Sequence, residues 1–127
     1  MSLHINAIGQ IAICCTDINA ARAFYQDIMG LPLLFDAGEN LSFYQLNDIR
    51  LMLTTLQGEE RDHHTSVIYY KVDDIEQAFA HLQQHNVAIE RAPALAATMS
   101  DHQLWIGFIR DPSDNLVGIM SEKPLSD

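Results

Sequence analysis

Tyr69 and Lys71 stand two residues apart in the run SVIYYKVDD. That spacing puts both side chains on one face of a β-strand. A phenol beside an ammonium can polarise a carbonyl or steady an anion, and the same pair can simply wall an amphipathic cavity. Cys14 brings a thiol to another apolar run, QIAICC. A buried, inert thiol is the ordinary state of such a residue. His81 and His85 have the i, i+4 spacing that pairs two imidazoles on a helix. They lie beside Leu82 rather than in a cleft, so a surface pair is expected. His63 and His64 adjoin Glu59, Glu60 and Asp62 in a polar segment. Adjacent side chains diverge there, so a solvated loop is expected. His102 stands just before an apolar run, where it could approach the mouth of a cleft. No Gly-rich phosphate loop and no Ser-His-Asp spacing is present.

Two stretches of like pattern must position these groups. Gln10 to Ala23 reads QIAICCTDINAARA, and Val67 to Ala80 reads VIYYKVDDIEQAFA. Each is an apolar strand-type run, then Asp-Ile, then a helical pattern. Asp17 and Asp74 suit the N-cap, where a carboxylate accepts from free N–H groups of the first turn. Ile18, Ala21, Tyr25 and Ile28, with Phe24 beside them, mark one apolar helix face; Ile75, Ala78, Phe79 and Leu82 mark the other. Gly30 and Asn86 are the residue types that end helices in a left-handed conformation. Strands are expected over 31–36, 41–46 and 50–55 in the first half, and over 87–91, 104–110 and 116–120 in the second. Turns are expected at Asn47-Asp48 and across Asp111–Asn115. Residues 92–103 read as a loop or a short helical turn. Each half is therefore strand–helix–strand–strand–strand.

The whole chain is 127 residues with 17 acidic and 7 basic side chains, a net charge of −10. At 48% hydrophobic residues it has the makings of a core and not of disorder. The acidity argues against nucleic acid and anionic membrane, which need clustered Lys and Arg. It is compatible with a cationic guest, and with solubility alone. No apolar run approaches the roughly 18 residues of a membrane span. The opening MSLHINAIGQ has no basic region followed by an apolar core, so no signal peptide is expected. The two cysteines, Cys14 and Cys15, are adjacent and cannot bridge in the ordinary way. A cytoplasmic, reducing location is expected.

The segment QIAICCTDINAARAFYQDIMGLPL resembles the first strand, helix and "FY…G" exit of the vicinal oxygen chelate superfamily. This is the glyoxalase, bleomycin-resistance and extradiol-dioxygenase group. The segment RDPSDNLVGIM resembles its late "DPxGN" hairpin and last strand. The resemblance spans roughly residues 7 to 121. It implies an α+β fold, two βαβββ units whose curled, mixed sheets form half-barrels around a cleft. The units are expected over about 7–57 and 64–121, within a single domain at 7–121, with 1–6 and 122–127 as flexible ends.

Metal-dependent relatives take ligands, mostly His, Glu or Gln, from four strands. The matching positions here are Gln10, Met52, Val67 and Gly118. Divalent ions of the first transition row need three or four His, carboxylate or thiolate donors. This set supplies one good donor, so no cofactor is expected; a divalent metal is the alternative. The expected cleft residues are Gln10, Met52, Val67, Tyr69, Ile106, Phe108, Gly118 and Met120. Trp105 should then point the other way, to a helix or a subunit interface. On the third strand either Phe43 and Gln45 or Ser42 and Tyr44 face in. The preferred reading is a metal-free protein that holds an apolar or cationic small organic ligand. The alternatives are a metal-dependent lyase, isomerase or dioxygenase, a metal-free acid–base catalyst using Tyr69, Lys71 or Cys14, and a dimeric scaffold or regulatory domain with a vestigial cleft. A homodimer is implied by the resemblance.

Overall fold

Strand alternation and two Asp caps generate both halves of the chain. The computed structural model describes His4, residues 8–55 and residues 66–125. It divides into two units between Thr65 and Ser66. His63, His64, Glu59, Glu60 and Asp62 lie outside the described residues.

In the first unit β1 (Gln10–Cys15) buries Ile13 and Cys15 and exposes Gln10 and Ala12. Asp17 follows with an extended backbone, and its carboxylate accepts from the N–H groups of Asn19 (3.0 Å) and Ala20 (3.2 Å). The helix α1 (Ile18–Arg22) then widens into a π-helical stretch, Ala23–Ile28. A uniform helix over this span is not what forms. The wider turn accompanies burial of two consecutive rings, Phe24 and Tyr25, packed edge to face at 4.9 Å. Gly30 ends it at φ +76°, the left-handed region that suits glycine. Next come β2 (Leu33–Asp36), β3 (Leu41–Leu46) and β4 (Ile49–Thr55). The sheet order is β1-β4-β3-β2, with β1 parallel to β4 and the other pairs antiparallel. The helix side of the sheet buries Leu51, Leu53, Tyr44 and Ser42. Ser42 is tolerated there because its hydroxyl donates to Asp36 (2.6 Å) and accepts from Arg22 Nε (2.6 Å).

The second unit repeats the plan. β5 (Ile68–Lys71) leads to Asp74, whose carboxylate accepts from the Gln77 N–H at 3.1 Å and starts α2 (Ile75–Gln84). Asn86 ends α2 at φ +58°. β6 (Ala88–Thr98), β7 (His102–Arg110) and β8 (Leu116–Pro124) complete the sheet in the order β5-β8-β7-β6. Ile75, Phe79 and Leu82 of α2 are buried, as are Tyr70, Ile109, Val117 and Ile119 of the sheet. The turn before β8 is built on Asp111, whose carboxylate accepts from Ser113 N (2.9 Å), Asn115 N (2.8 Å) and Asn115 Nδ2 (2.9 Å).

Three boundaries correct the sequence expectation. β6 runs on to Thr98 where a loop or helical turn was expected after Arg91. Pro93 hid it, yet β6 is an edge strand with three register irregularities, which is where proline is accommodated. β8 continues to Pro124, so residues 122–124 are strand and not a flexible end. Val67 precedes β5 instead of lying in it. No helix of the described residues is long and apolar enough to cross a membrane.

Tyr70 carries a cost. Its hydroxyl is buried and has no hydrogen-bond partner among the described residues. Burial pushes the phenol far above its ordinary range, and the nearby charge of Asp111 pushes the same way. Tyr70→Phe should therefore raise stability by about 1 kcal/mol in urea melts at neutral pH. The unfolded phenol ionises near pH 10 and the folded one only higher, so stability falls as pH rises past about 10. The variant should show a flatter alkaline decline, and an unchanged one would contradict this account.

Candidate functional site

Each sheet has one face under its helix and one open face. On the first sheet, alternation and pairing put Gln10, Ala12 and Cys14 of β1 on the open face. Arg50 and Met52 of β4 and Phe43 and Gln45 of β3 share it. This settles the third strand: Ser42 and Tyr44 are fully buried on the helix side. Phe35 of β2 stacks on Phe43, ring centroids 4.7 Å apart. The Arg50 guanidinium lies over the Phe43 ring, 5.5 Å from its centroid. Arg50 Nε donates to Gln10 Oε1 at 2.9 Å, and Gln10 Nε2 approaches Met52 Sδ at 3.6 Å. Gln10 and Met52 are therefore neighbours on this face.

On the second sheet the open face carries Tyr69 and Lys71 of β5, Ile106 and Phe108 of β7, and Gly118 and Met120 of β8. Tyr69 pairs with Gly118, Lys71 and Ile106 both pair with Met120, and Phe108 pairs with Gly118. The Tyr69 ring lies directly over Gly118. A Cβ at position 118 would come within 2.6 Å of Tyr69 Cδ2. Tyr69 also meets Phe108 edge to face at 5.8 Å, and Arg91 sits 5.8 Å over the Phe108 ring. Val67 is exposed just ahead of this cluster. Trp105 lies on the helix side, as expected. Lys123 Nζ stands 4.3 Å over its ring and also bonds to Glu76 of α2.

The four metal-ligand positions do not fit a metal. Gln10 offers its amide oxygen to a guanidinium, and the cation that holds it would repel a second one. Met52 has a thioether, Val67 has no donor atom, and Gly118 has no side chain and a phenol ring over it. Among the described residues no group of three His, Cys, Asp or Glu is gathered closely enough to hold an ion.

The acid–base candidates are engaged in other ways. Lys71 Nζ lies 3.3 Å from Glu122 Oε1. His102 is flanked by Asp101 at 2.7 Å and Glu122 at 4.0 Å. Cys14 is half-buried, with its backbone in register with Thr54 of β4. His81 and His85 are exposed on α2, with ring centroids 4.4 Å apart and His85 Nδ1 2.9 Å from the His81 carbonyl oxygen. Sequence reasoning missed Phe35, Arg50 and Arg91. Alternation did put Arg50 on the face of Met52, but its hold on Gln10 joins strands far apart in the chain. Arg91 fell at the end of a strand thought to stop there.

The family model described as Glyoxalase/Bleomycin resistance protein/Dioxygenase superfamily matches residues 7–119. No curated protein sequence matches the chain. Among solved structures, the chain is similar to a lactoylglutathione lyase from Agrobacterium tumefaciens. That match has 20% identity and a TM-score of 0.72, covering 93% of this chain and 95% of that one. It is similar also to TnmS3, an antibiotic binding protein from Streptomyces sp. CB03234, at 19% identity and TM-score 0.71, covering 96% and 100%. A superfamily member from Sphaerobacter thermophilus DSM 20745 matches at 18% identity and TM-score 0.74, covering 94% and 100%. At these identities the likeness is one of fold.

Proposed function

Because the chain belongs to the glyoxalase/bleomycin resistance protein/dioxygenase superfamily, we propose that it is a metal-free binding member that holds a ring-bearing small organic molecule. A lyase and an antibiotic binding protein both share its fold, so the choice rests on the site and not on the fold. One observation carries it. The position where the superfamily resemblance puts a ligating carboxylate is Gly118, and the Tyr69 ring fills the space a side chain would need. An aromatic surface stands where a metal-binding group would be. Tyr69 is 47% exposed and its ring is available for stacking. The same holds on the first sheet, where Phe35 is 46% exposed beside Phe43.

The reading includes the homodimer that the resemblance implies. The test has two arms on purified, untagged protein. Metal analysis after dialysis should find no stoichiometric zinc, nickel, manganese or iron. A thermal-shift panel of uncharged bicyclic aromatics should find stabilisers, because a ligand at 100 times its Kd adds about 2.7 kcal/mol. Stoichiometric metal that survives dialysis would overturn the reading. So would a panel that leaves the melting temperature unmoved.

A further inference from the structure

We infer that the ligand is a planar aromatic anion, an aryl carboxylate or its chemical equivalent, and not a cation. This deepens the binding reading above and rests on it. The chain has 7 basic residues against 17 acidic ones, so a basic side chain should find a carboxylate easily. Most do. Arg22 pairs with Asp36 at 3.4 Å, Arg110 with Glu90 at 2.9 Å and Lys71 with Glu122 at 3.3 Å. Lys123 pairs with Glu76. Arg50 and Arg91 alone among the described basic residues have no carboxylate partner, and Arg61 is outside the described set.

Both of these arginines occupy the same kind of place. Each stands over a phenylalanine on the open face of its own sheet, Arg50 over Phe43 and Arg91 over Phe108. Phe43 and Phe108 lie on β3 and β7, the corresponding strands of the repeat. Each ring has a second ring against it, Phe35 on Phe43 and Tyr69 on Phe108. The two units thus repeat one arrangement: an aromatic pair, and an arginine over the ring with no carboxylate partner among the described residues.

Chemistry gives that arrangement a substrate class. A guanidinium over a ring is held by the ring's quadrupole and keeps its planar fork of donors for an anion. Gln10 tethers Arg50 at Nε, which leaves Nη1 and Nη2 without a partner among the described residues. Those two nitrogens can bind a carboxylate while the ligand's ring stacks beside Phe43, and Arg91 can serve a ring beside Phe108 in the same way. A cationic guest would meet like charge at both places. Net charge is therefore a poor guide here, because neither arginine over a ring has a carboxylate partner among the described residues.

The probes are three molecules with one ring system: 2-naphthoate, 2-naphthalenemethanol and 2-naphthylmethylamine. Binding of each is measured by calorimetry, with amide shifts at residues 43, 50, 91 and 108 locating it. The naphthoate should bind about tenfold tighter than the alcohol, the scale of one charge-assisted contact, and the amine should be weakest. Arg50→Gln should make acid and alcohol bind alike where residues 43 and 50 report, and Arg91→Gln should do the same where residues 91 and 108 report. Both arginines are exposed, so the variants should fold, and their melting temperatures check it. If the alcohol or the amine binds as well as the acid, the anion inference fails and the binding reading stands. If none of the three binds at millimolar concentration, both fail.

Discussion

Gly107→Ala should destabilise the protein by about 2 kcal/mol, read as a lower urea midpoint at unchanged slope. One methyl group is enough. A Cβ at position 107 would lie 2.4 Å from Phe79 Cζ, 2.9 Å from Phe79 Cε2 and 3.1 Å from the Arg91 carbonyl oxygen. Phe79 is 5% exposed and is part of the apolar face of α2. Its ring has nowhere to go without lifting the helix from the sheet, and interiors packed like crystals resist that. Wild-type stability in this variant would mean that α2 does not press on β7 as described.

Gly118→Ala should have the opposite profile. The steric conflict is similar, with the new Cβ 2.6 Å from Tyr69 Cδ2 and 2.9 Å from Cε2. Tyr69, however, is an exposed side chain on the open face, and it can swing off its neighbour into water. Stability should change by less than about 1 kcal/mol, as for most substitutions that disturb no core. Binding of an uncharged naphthalene should weaken by about tenfold, because the ring that stacked edge to face on Phe108 is no longer held there. Calorimetry beside a urea melt separates the two effects. Intact affinity in Gly118→Ala would remove the Tyr69 platform from the binding account.

These two glycines also show what was legible in the sequence. Alternation on β7 separates Phe108 from Trp105 and Gly107, and the structure keeps that division. The two Asp caps and the left-handed stops at Gly30 and Asn86 are local chemistry, so they could be read directly. The face of β3 could not. Phe43 with Gln45 and Tyr44 with Ser42 are equally mixed pairs, and Ser42 is buried only because Asp36 and Arg22 satisfy it. β6 was lost behind Pro93 and its alanines, since its ladder depends on β7 and not on its own propensity. The ligand positions could be aligned by resemblance, but the Arg50–Gln10 contact spans two distant strands. The Tyr69–Gly118 contact likewise depends on pairing that no local pattern reveals.

The parallel pairing that closes each sheet has a consequence for how the chain is made. β1 meets its ladder partner among the described residues when β4 has been synthesised, and β5 waits in the same way for β8. Such non-local closure is slow, because the loop entropy is lost before the pairing rewards it. Yet, among the described residues, the ladder partners of the first sheet all lie within residues 10–55. The first sheet can thus finish pairing while the second is still leaving the ribosome. A doubled fold halves the length of chain that must search for its own closure at any one time.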